Sequence, residues 1–360
     1  MASIKDVARR AGVSISTVSN VLNGTKYVSE DLKKRVNIAV SELEYEVDPV
    51  ARNMKSQRSK TIGVITADMC GLFYPYIMKG IYEVAIQKGY SVMIYDTNGV
   101  NEGPTSFDRE RQYFKALVAN RVDGIIFCSM VTEGMEETYV KEIKRMTSQK
   151  KRIAMVSIER DFSKYGIDSV FSNSEEGAFK ATDYLLGLGC RKVCHITGPI
   201  YAKVVKDRVL GYKRAIMKYG LPVDEEKMIA NGDYTHQSGY LAIKQLLKSC
   251  PDMDGVYIAN DQMAVGACMA LKECGRKVPE DIKVIGYDNV FLSSVVDPPL
   301  SSIHVRKKHI GLEAARALIG QIEGEDEVSR ETVRIEMETR LVVRRSTQSD
   351  APSDWILSDW

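Results

Sequence analysis

Apolar positions in the first sixty residues recur at helical spacing in short stretches, whereas beyond Thr61 strand-like runs alternate with helical ones. Ile4, Val7, Ala8 and Ala11 follow the i, i+3, i+4, i+7 pattern behind Ser3, a capping residue with Asp6 three positions on, and Gly12 ends the stretch. The spacing predicts a short, one-faced helix. Ser14 caps a second helix, about 15 to 22, after only a tight turn, and two short helices joined in this way form a helix-turn-helix. At about 3.6 residues per turn, Val18, Val21 and Leu22 point one way and Ile15, Ser16, Ser19 and Asn20 the other. An outward isoleucine beside small polar residues suits a thymine methyl and base edges better than water. A third helix, 29 to 44, is capped by Ser29, carries Glu30 and Asp31 at its positive end, and packs through Leu32, Val36, Ile38, Ala39 and Leu43. Its Lys33, Lys34 and Arg35 are either phosphate contacts or a solvated face.

The rest of the chain reads as strand, helix, strand: TIGVITA, a helix near 76 to 88, YSVMIYD, a helix near 108 to 120, VDGIIFC and IAMVSI. It resumes with SVFSN, a helix near 175 to 188, KVCHITG, helices near 207 to 219 and 236 to 249, MDGVYIAN, a helix near 262 to 273, and KVIGYD. Such alternation predicts an α/β fold with parallel sheets, and the echo of VDGIIFC in MDGVYIAN suggests two similar lobes. The predicted whole is a small all-α head on a larger α/β body.

Charge sharpens that division. Residues 1–60 hold eleven Lys or Arg against seven Asp or Glu, a net +4, and the remainder carries −2. A basic head on a near-neutral body suits nucleic-acid binding. With 360 residues, 44% hydrophobic and 27% charged, the chain is long enough for two or three packed domains. Its charged start lacks a signal peptide's apolar stretch, and no run approaches the ~20 apolar residues that span a bilayer, so we expect a cytoplasmic protein without a membrane partner. The seven cysteines have no regular spacing and read as reduced thiols. Cys190, Cys194 and His195 are a weak metal motif beside the alternative of a buried thiol pair, so no metal or cofactor is expected. GxGxxG, Walker, HExxH and GxSxG motifs are absent and the four histidines are scattered, which argues against an enzyme.

The segment IKDVARRAGVSISTVSNVLNG, residues 4–24, followed by VSEDLKKRVNIAVSELEYEVDPVARNMKS, resembles the headpiece and hinge of the lactose- and galactose-repressor (LacI/GalR) family of bacterial transcription regulators. The resemblance implies a headpiece over 1–46 in which Ile15, Ser16 and Asn20 read bases in the major groove of an operator, with Ser19 on the same face and Lys5 a candidate phosphate contact. It implies a hinge over 47–60 whose segment Asp48 to Ser56 becomes a helix on DNA, with Met54 wedged between central base pairs of the minor groove. Off DNA so short a helix is marginal, and the same residues read as a polar linker. Asn20 stands where many members have arginine, and asparagine suits adenine better than guanine, so an operator sequence does not carry over.

For residues 61–345 the resemblance implies a two-lobed, periplasmic-binding-protein-like effector domain that also makes a homodimer. The chain crosses three times, giving an N-lobe of 61–160 and 292–323 and a C-lobe of 161–291 and 324–345, with 346–360 a tail. Ligands of open parallel sheets bind at the carboxyl ends of strands, so the cleft is expected between Phe73, Tyr74, Arg208, Tyr234, Asn260, Asp261 and Asp288. Arg208 and Asp288 suit adjacent hydroxyls or a carboxylate, one from each wall, or else form a structural ion pair. Phe73 or Tyr234 suits a sugar or base ring, and Asp261 either meets ligand or caps the following helix. Ser172-Asn173 replaces the family's frequent Asp-Asn and removes one carboxylate. The expected function is repression of carbohydrate-metabolism genes controlled by a sugar or sugar derivative. The alternatives are a purine-responsive repressor, or a catabolite-control regulator with a phosphorylated carrier-protein corepressor. FYPYIMKGI resembles the last group mildly, but Asp297 in VVDPPL stands where an arginine would meet the phosphoserine.

Overall fold

In the head, α1 (Ile4–Ala11) starts where the Ser3 N–H and Oγ donate to the Asp6 carboxylate at 3.0 and 2.6 Å, and stops at Gly12, whose left-handed φ of 63° closes the helix. Ser14 Oγ accepts the Thr17 N–H at 3.1 Å at the start of α2 (Ile15–Asn23), and α3 is Glu30–Glu42. Val7, Ala8, Ala11, Val18, Val36 and Ala39 form the core, with Val21 and Leu22 packed at its edge. Arg35 is exposed, yet its guanidinium turns back to donate to the carbonyls of Ala11 and Gly12 at 2.7 and 3.1 Å, pinning the turn between α1 and α2. The computed structural model describes residues 2–23, 26–45, 58–98, 104–149, 152–324 and 331–352, and the chain divides into two units, 1–59 and 60–360. The expected hinge segment, Met54 included, lies outside the described residues.

The body begins with β1 (Thr61–Thr66), α4 (Tyr74–Gln87), β2 (Ser91–Asp96), α5 (Pro104–Ala119), β3 (Gly124–Cys128), α6 (Glu136–Thr147), β4 (Ala154–Ile158) and β5 (Asp168–Ser172). It continues with α7 (Ser174–Gly187), β6 (Val193–Thr197), α8 (Lys203–Lys218), α9 (Glu225–Met228), β7 (Ile229–Asn231), α10 (His236–Ser249) and β8 (Gly255–Ile258). Then come α11 (Asp261–Glu273), β9 (Lys283–Asp288), α12 (Phe291–Val295) and β10 (Ser301–His304), before α13 (Lys307–Glu323), β11 (Arg334–Met337) and β12 (Arg340–Val342). One six-stranded sheet has the order β11-β5-β4-β3-β1-β2, the other β12-β10-β9-β8-β6-β7, all pairs parallel except β10 with β12. VDGIIFC and MDGVYIAN echo each other because β3 and β8 hold equivalent places in the two orders.

The crossings fall later than the sequence reading placed them. β5 (DSVFS) lies in the first sheet between β4 and β11, in register Val156↔Asp168 with β4, so the N-lobe runs through Ser172 and not to 160. β10 pairs with β9, Ser301↔Ile285, so the C-lobe keeps the chain through His304, and α13 with β11 returns to the N-lobe. The last crossing lies between Met337 and Arg340, not near 324. Nor do the residues after Arg345 begin as a tail: Ser346 is fully buried, its hydroxyl donates to the Val284 carbonyl at 2.6 Å, and its N–H to Pro299 at 2.9 Å.

Candidate functional site

On α2, Val18 is fully buried while Ile15 is 45% exposed and Ser16 is also exposed; Ser19 and Asn20 are half-buried on the same outer side. Lys5 is exposed on α1. The face carrying Ile15, Ser16, Ser19 and Asn20 thus has the amphipathic split that helical spacing predicts, with an apolar side chain left in water.

Between the two lobes lies a cleft of about 920 Å³, part of it open to solvent, and all seven residues selected from strand ends line it. The loop after β1 and the start of α4 bring Phe73 and Tyr74, whose rings meet edge to face at 5.4 Å. Phe73 is half-buried, whereas the Tyr74 hydroxyl donates to the Glu159 carboxylate, so its polar end is already committed. Arg208 and Asp288, expected on opposite walls, both belong to the C-lobe. Arg208 lies on α8 and Asp288 at the end of β9, the next-but-one neighbour of β6, which leads into α8, so one wall holds both. The Arg208 guanidinium lies 3.9 Å from the Tyr287 ring centroid, donates to the Ala259 carbonyl at 2.5 Å, and stands 3.8 Å from Asp288 Oδ1. That separation is beyond a hydrogen bond. Arg208 Nε and Asp288 Oδ1 are buried and find no hydrogen-bond partner among the described residues.

Tyr234 takes a left-handed φ of 71° and sets its ring over Gly198, where a Cβ would lie 2.3 Å from the ring. The glycine of KVCHITG is what makes room for it. Asn260, not Asp261, caps α11: its Oδ1 accepts the Met263 N–H at 2.9 Å while its Nδ2 donates to the Tyr234 carbonyl at 3.0 Å. Asp261 braces the cleft floor instead, accepting the Val290 N–H at 2.7 Å and the Ser302 hydroxyl at 2.6 Å. Burial pushes its carboxyl up to about 7, with the charge of Asp288 adding to the effect. Burial likewise pushes Asp288 up to about 6, against the pull of Arg208 and Lys307. Ser172 ends β5 and Asn173 caps α7, its amide also donating to Glu336 at 3.0 Å.

The sequence offers two independent matches. Residues 3–48 match the model of bacterial regulatory proteins of the lacI family, and 182–347 match the periplasmic binding protein-like domain. A repressor of Vibrio atlanticus (strain LGP32) named HTH-type transcriptional repressor PurR is 34% identical over 350 residues, covering 97% of this chain and 99% of that one. The chain belongs to the LacI family. The repressor of the same name from Vibrio campbellii (strain ATCC BAA-1116) is 33% identical over 349 residues, again 97% and 99% of the two chains. Among solved structures, the Lac repressor dimer bound to operator and the anti-inducer ONPF aligns with a TM-score of 0.84 and 26% identity over 96% of this chain and 99% of that one. The CelR-cellobiose complex aligns with a TM-score of 0.68 and 28% identity over 96% and 100%. This LacI-family member is a DNA-binding transcriptional repressor with a periplasmic-binding-like effector domain, and not an enzyme.

The N-lobe wall of this regulator holds more than the expected Phe73 and Tyr74. Glu159, one residue past IAMVSI, has a left-handed φ of 65° and accepts from Tyr74 and from the Cys128 thiol at 3.0 Å. Arg160 beside it is held by Glu136 at 2.9 Å and by the Val131 carbonyl. Cys128, Glu159 and Arg160 all line the cleft, and the rule that selected Asp288 would have selected Glu159 had IAMVSI been read to its carboxyl end. His195, in contrast, is a core residue: it stacks on Tyr257 at 4.6 Å and its Nδ1–H donates to that residue's carbonyl at 2.9 Å, while burial lowers its pKa to about 4. Cys194, on the opposite face of the same strand, packs with Cys250. The described residues contain no group of three metal-ligating side chains and no helix long and apolar enough to cross a membrane.

Proposed function

We propose that the protein is a cytoplasmic homodimer whose two heads bind the halves of a near-palindromic operator, and whose cleft takes a sugar or sugar derivative that sets operator affinity. Ile15, Ser16, Ser19 and Asn20 meet base edges, Lys5 meets phosphate, and Met54 supplies the minor-groove wedge. In the cleft, Arg208 and Asp288 hold adjacent hydroxyls, Asn260 and Asp261 keep the floor in shape, and Phe73 and Tyr234 flank the sugar ring.

The observation that carries the effector reading is that Arg208 Nε and Asp288 Oδ1 are buried without a hydrogen-bond partner among the described residues, with Arg208 Nη2 3.8 Å from that oxygen, inside an aromatic-rimmed cleft. Buried polar atoms are ordinarily satisfied, and a donor beside an acceptor matches vicinal hydroxyls. A purine-responsive repressor is the second reading, favoured by the name PurR of the relatives and by Phe73 as a stacking face. The catabolite-control alternative has less support: Asp297 is exposed and negative, which repels phosphate.

Thermal-shift measurements on the full chain with sugars, sugar acids and nucleobases test the reading. A compound present at 100 times its dissociation constant adds about 2.7 kcal/mol of stability. Stabilisation by a sugar and not by nucleobases supports the first reading. The reverse result establishes the second and removes the first.

A further inference from the structure

Two consecutive residues at the cleft floor have backbone that side chains rarely adopt, Asp288 at φ 91° and Asn289 at φ 52°. Such a pair persists only when its surroundings over-determine it. Ser302 Oγ accepts the Asn289 N–H at 3.0 Å, Asp261 accepts the Val290 N–H at 2.7 Å, and Arg344 donates to Asn289 Oδ1 at 2.9 Å. These three belong to the C-lobe. The fourth group is the Lys307 ammonium, which donates to the carbonyl of Asp288 and, at 3.3 Å each, to those of Asn289 and Val305.

Lys307 is rooted elsewhere. It opens α13, which packs on the N-lobe so closely that a Cβ on Gly311 would lie 2.0 Å from the Ile77 carbonyl, and one on Gly80 would lie 2.1 Å from that of Lys308. α4 and α13 therefore touch backbone to backbone and move together. Lysine is a costly choice at this position. It is 3% exposed, it stands in the first turn, where the helix dipole is already positive, and burial lowers its pKa to about 8. The groups facing its ammonium are three carbonyls, the Asp288 and Asp261 carboxylates, and the Tyr76 ring at 5.7 Å.

We propose that Lys307 is a positioning residue for the effector site: reaching from an N-lobe helix into the C-lobe, it holds the 288–289 turn so that Asp288 points into the cleft, and makes that aim depend on the arrangement of the lobes. An occupant that hydrogen-bonds to Asp288 then favours the arrangement in which Lys307 is engaged. This consequence rests on the cleft being the effector site, but the geometry is tested without any effector, so the two ideas fail separately.

The test is a carbon-13 NMR titration of the Asp288 carboxyl in the full chain, assigned with Asp288→Asn, in wild type and in Lys307→Met. The wild-type midpoint is expected near 6, raised by burial and held below a higher value by the charges of Arg208 and Lys307. If Lys307 were only a neighbouring charge, removing it would raise the midpoint. If it holds the turn, the carboxylate swings into solvent and the midpoint falls towards the ordinary aspartate value of about 4. A fall supports the proposal; an unchanged or raised midpoint overturns it. A second measurement uses Asn289→Gly as its own reference background, since glycine takes φ 52° without strain, while the bond from Arg344 is lost equally with and without Lys307. The thermal midpoint lost to Lys307→Met is smaller in that background than in wild type, and an equal loss overturns the proposal. If Lys307→Met alone does not fold, the double variant does; a double variant that also fails overturns it.

Discussion

Asp288 holds opposing demands in one carboxyl: burial favours the neutral acid, whereas Arg208 and Lys307 favour the anion, and the balance leaves its pKa at about 6, above the ordinary 3.8. A carboxyl raised on folding stabilises the native state fully below its unfolded pKa, and that contribution is lost as pH rises through the folded one. The effector-free protein should therefore lose stability between about pH 4 and 6 relative to Asp288→Asn, by about 1 to 3 kcal/mol, which thermal melts across that range measure. In the head, Asn20→Ala should relax preference at one base pair of each half-site by about 1 to 3 kcal/mol, whereas Lys5→Ala should weaken all duplexes alike. Binding titrations against single-base operator variants separate the two, and equal losses on every variant would remove Asn20 from base readout. Most cleft residues were legible because carboxyl ends of strands are where such sheets bind ligands. What single residues hid was commitment: nothing in the string Asn260-Asp261 says that the first caps the helix and the second braces Val290 and Ser302.

Most elements were legible where burial imposed a period, although α6 went unread despite Tyr139, Val140, Ile143 and Met146 being buried at helical spacing; others were lost where buried polar groups broke the period. β10 is Ser301, Ser302, Ile303 and His304, all fully or nearly fully buried, and its two serine hydroxyls are satisfied from far along the chain: Ser301 Oγ donates to the Arg344 carbonyl at 2.9 Å, and Ser302 Oγ to Asp261. A strand paid for by such long-range bonds leaves no hydrophobic pattern, which is why the second lobe crossing was misplaced. The first crossing was misplaced for a different reason. β5 follows β4 with no α-helix between them, and local sequence does not say which sheet a strand joins. Two predictions belong at this scale. Gly80→Ala or Gly311→Ala drives a methyl into the facing helix backbone and should cost about 1 to 3 kcal/mol or more, read by urea unfolding, because neither helix can withdraw without opening the N-lobe core. Deleting 346–360 should destabilise the body, since Ser346 and Thr347 bond to Val284 and Ser301 beneath the C-lobe sheet; a truncated chain melting like wild type would show those bonds to be dispensable.

At the scale of the molecule, the basic head and the α/β body are separate units in composition and in packing, with the division at Ser59 and Lys60 and a net +3 on residues 1–59. Residues 60–360 alone should therefore fold and keep effector binding while losing DNA binding, checked by circular dichroism and gel shift. Coupling between the two functions is a free energy, reciprocal between effector and operator, and for allosteric regulators it commonly amounts to about 1 to 3 kcal/mol, or roughly 5- to 150-fold in affinity. The measurement that tests the account most directly is the ratio of operator affinities with and without the stabilising compound, by fluorescence anisotropy, in wild type, Arg208→Ala and Asp288→Ala. If the cleft is the effector site, the ratio is at least about 5-fold from unity in wild type and collapses to unity in both variants at the same compound concentration. If both variants respond to the compound as wild type does, Arg208 and Asp288 are a structural pair and the effector binds elsewhere.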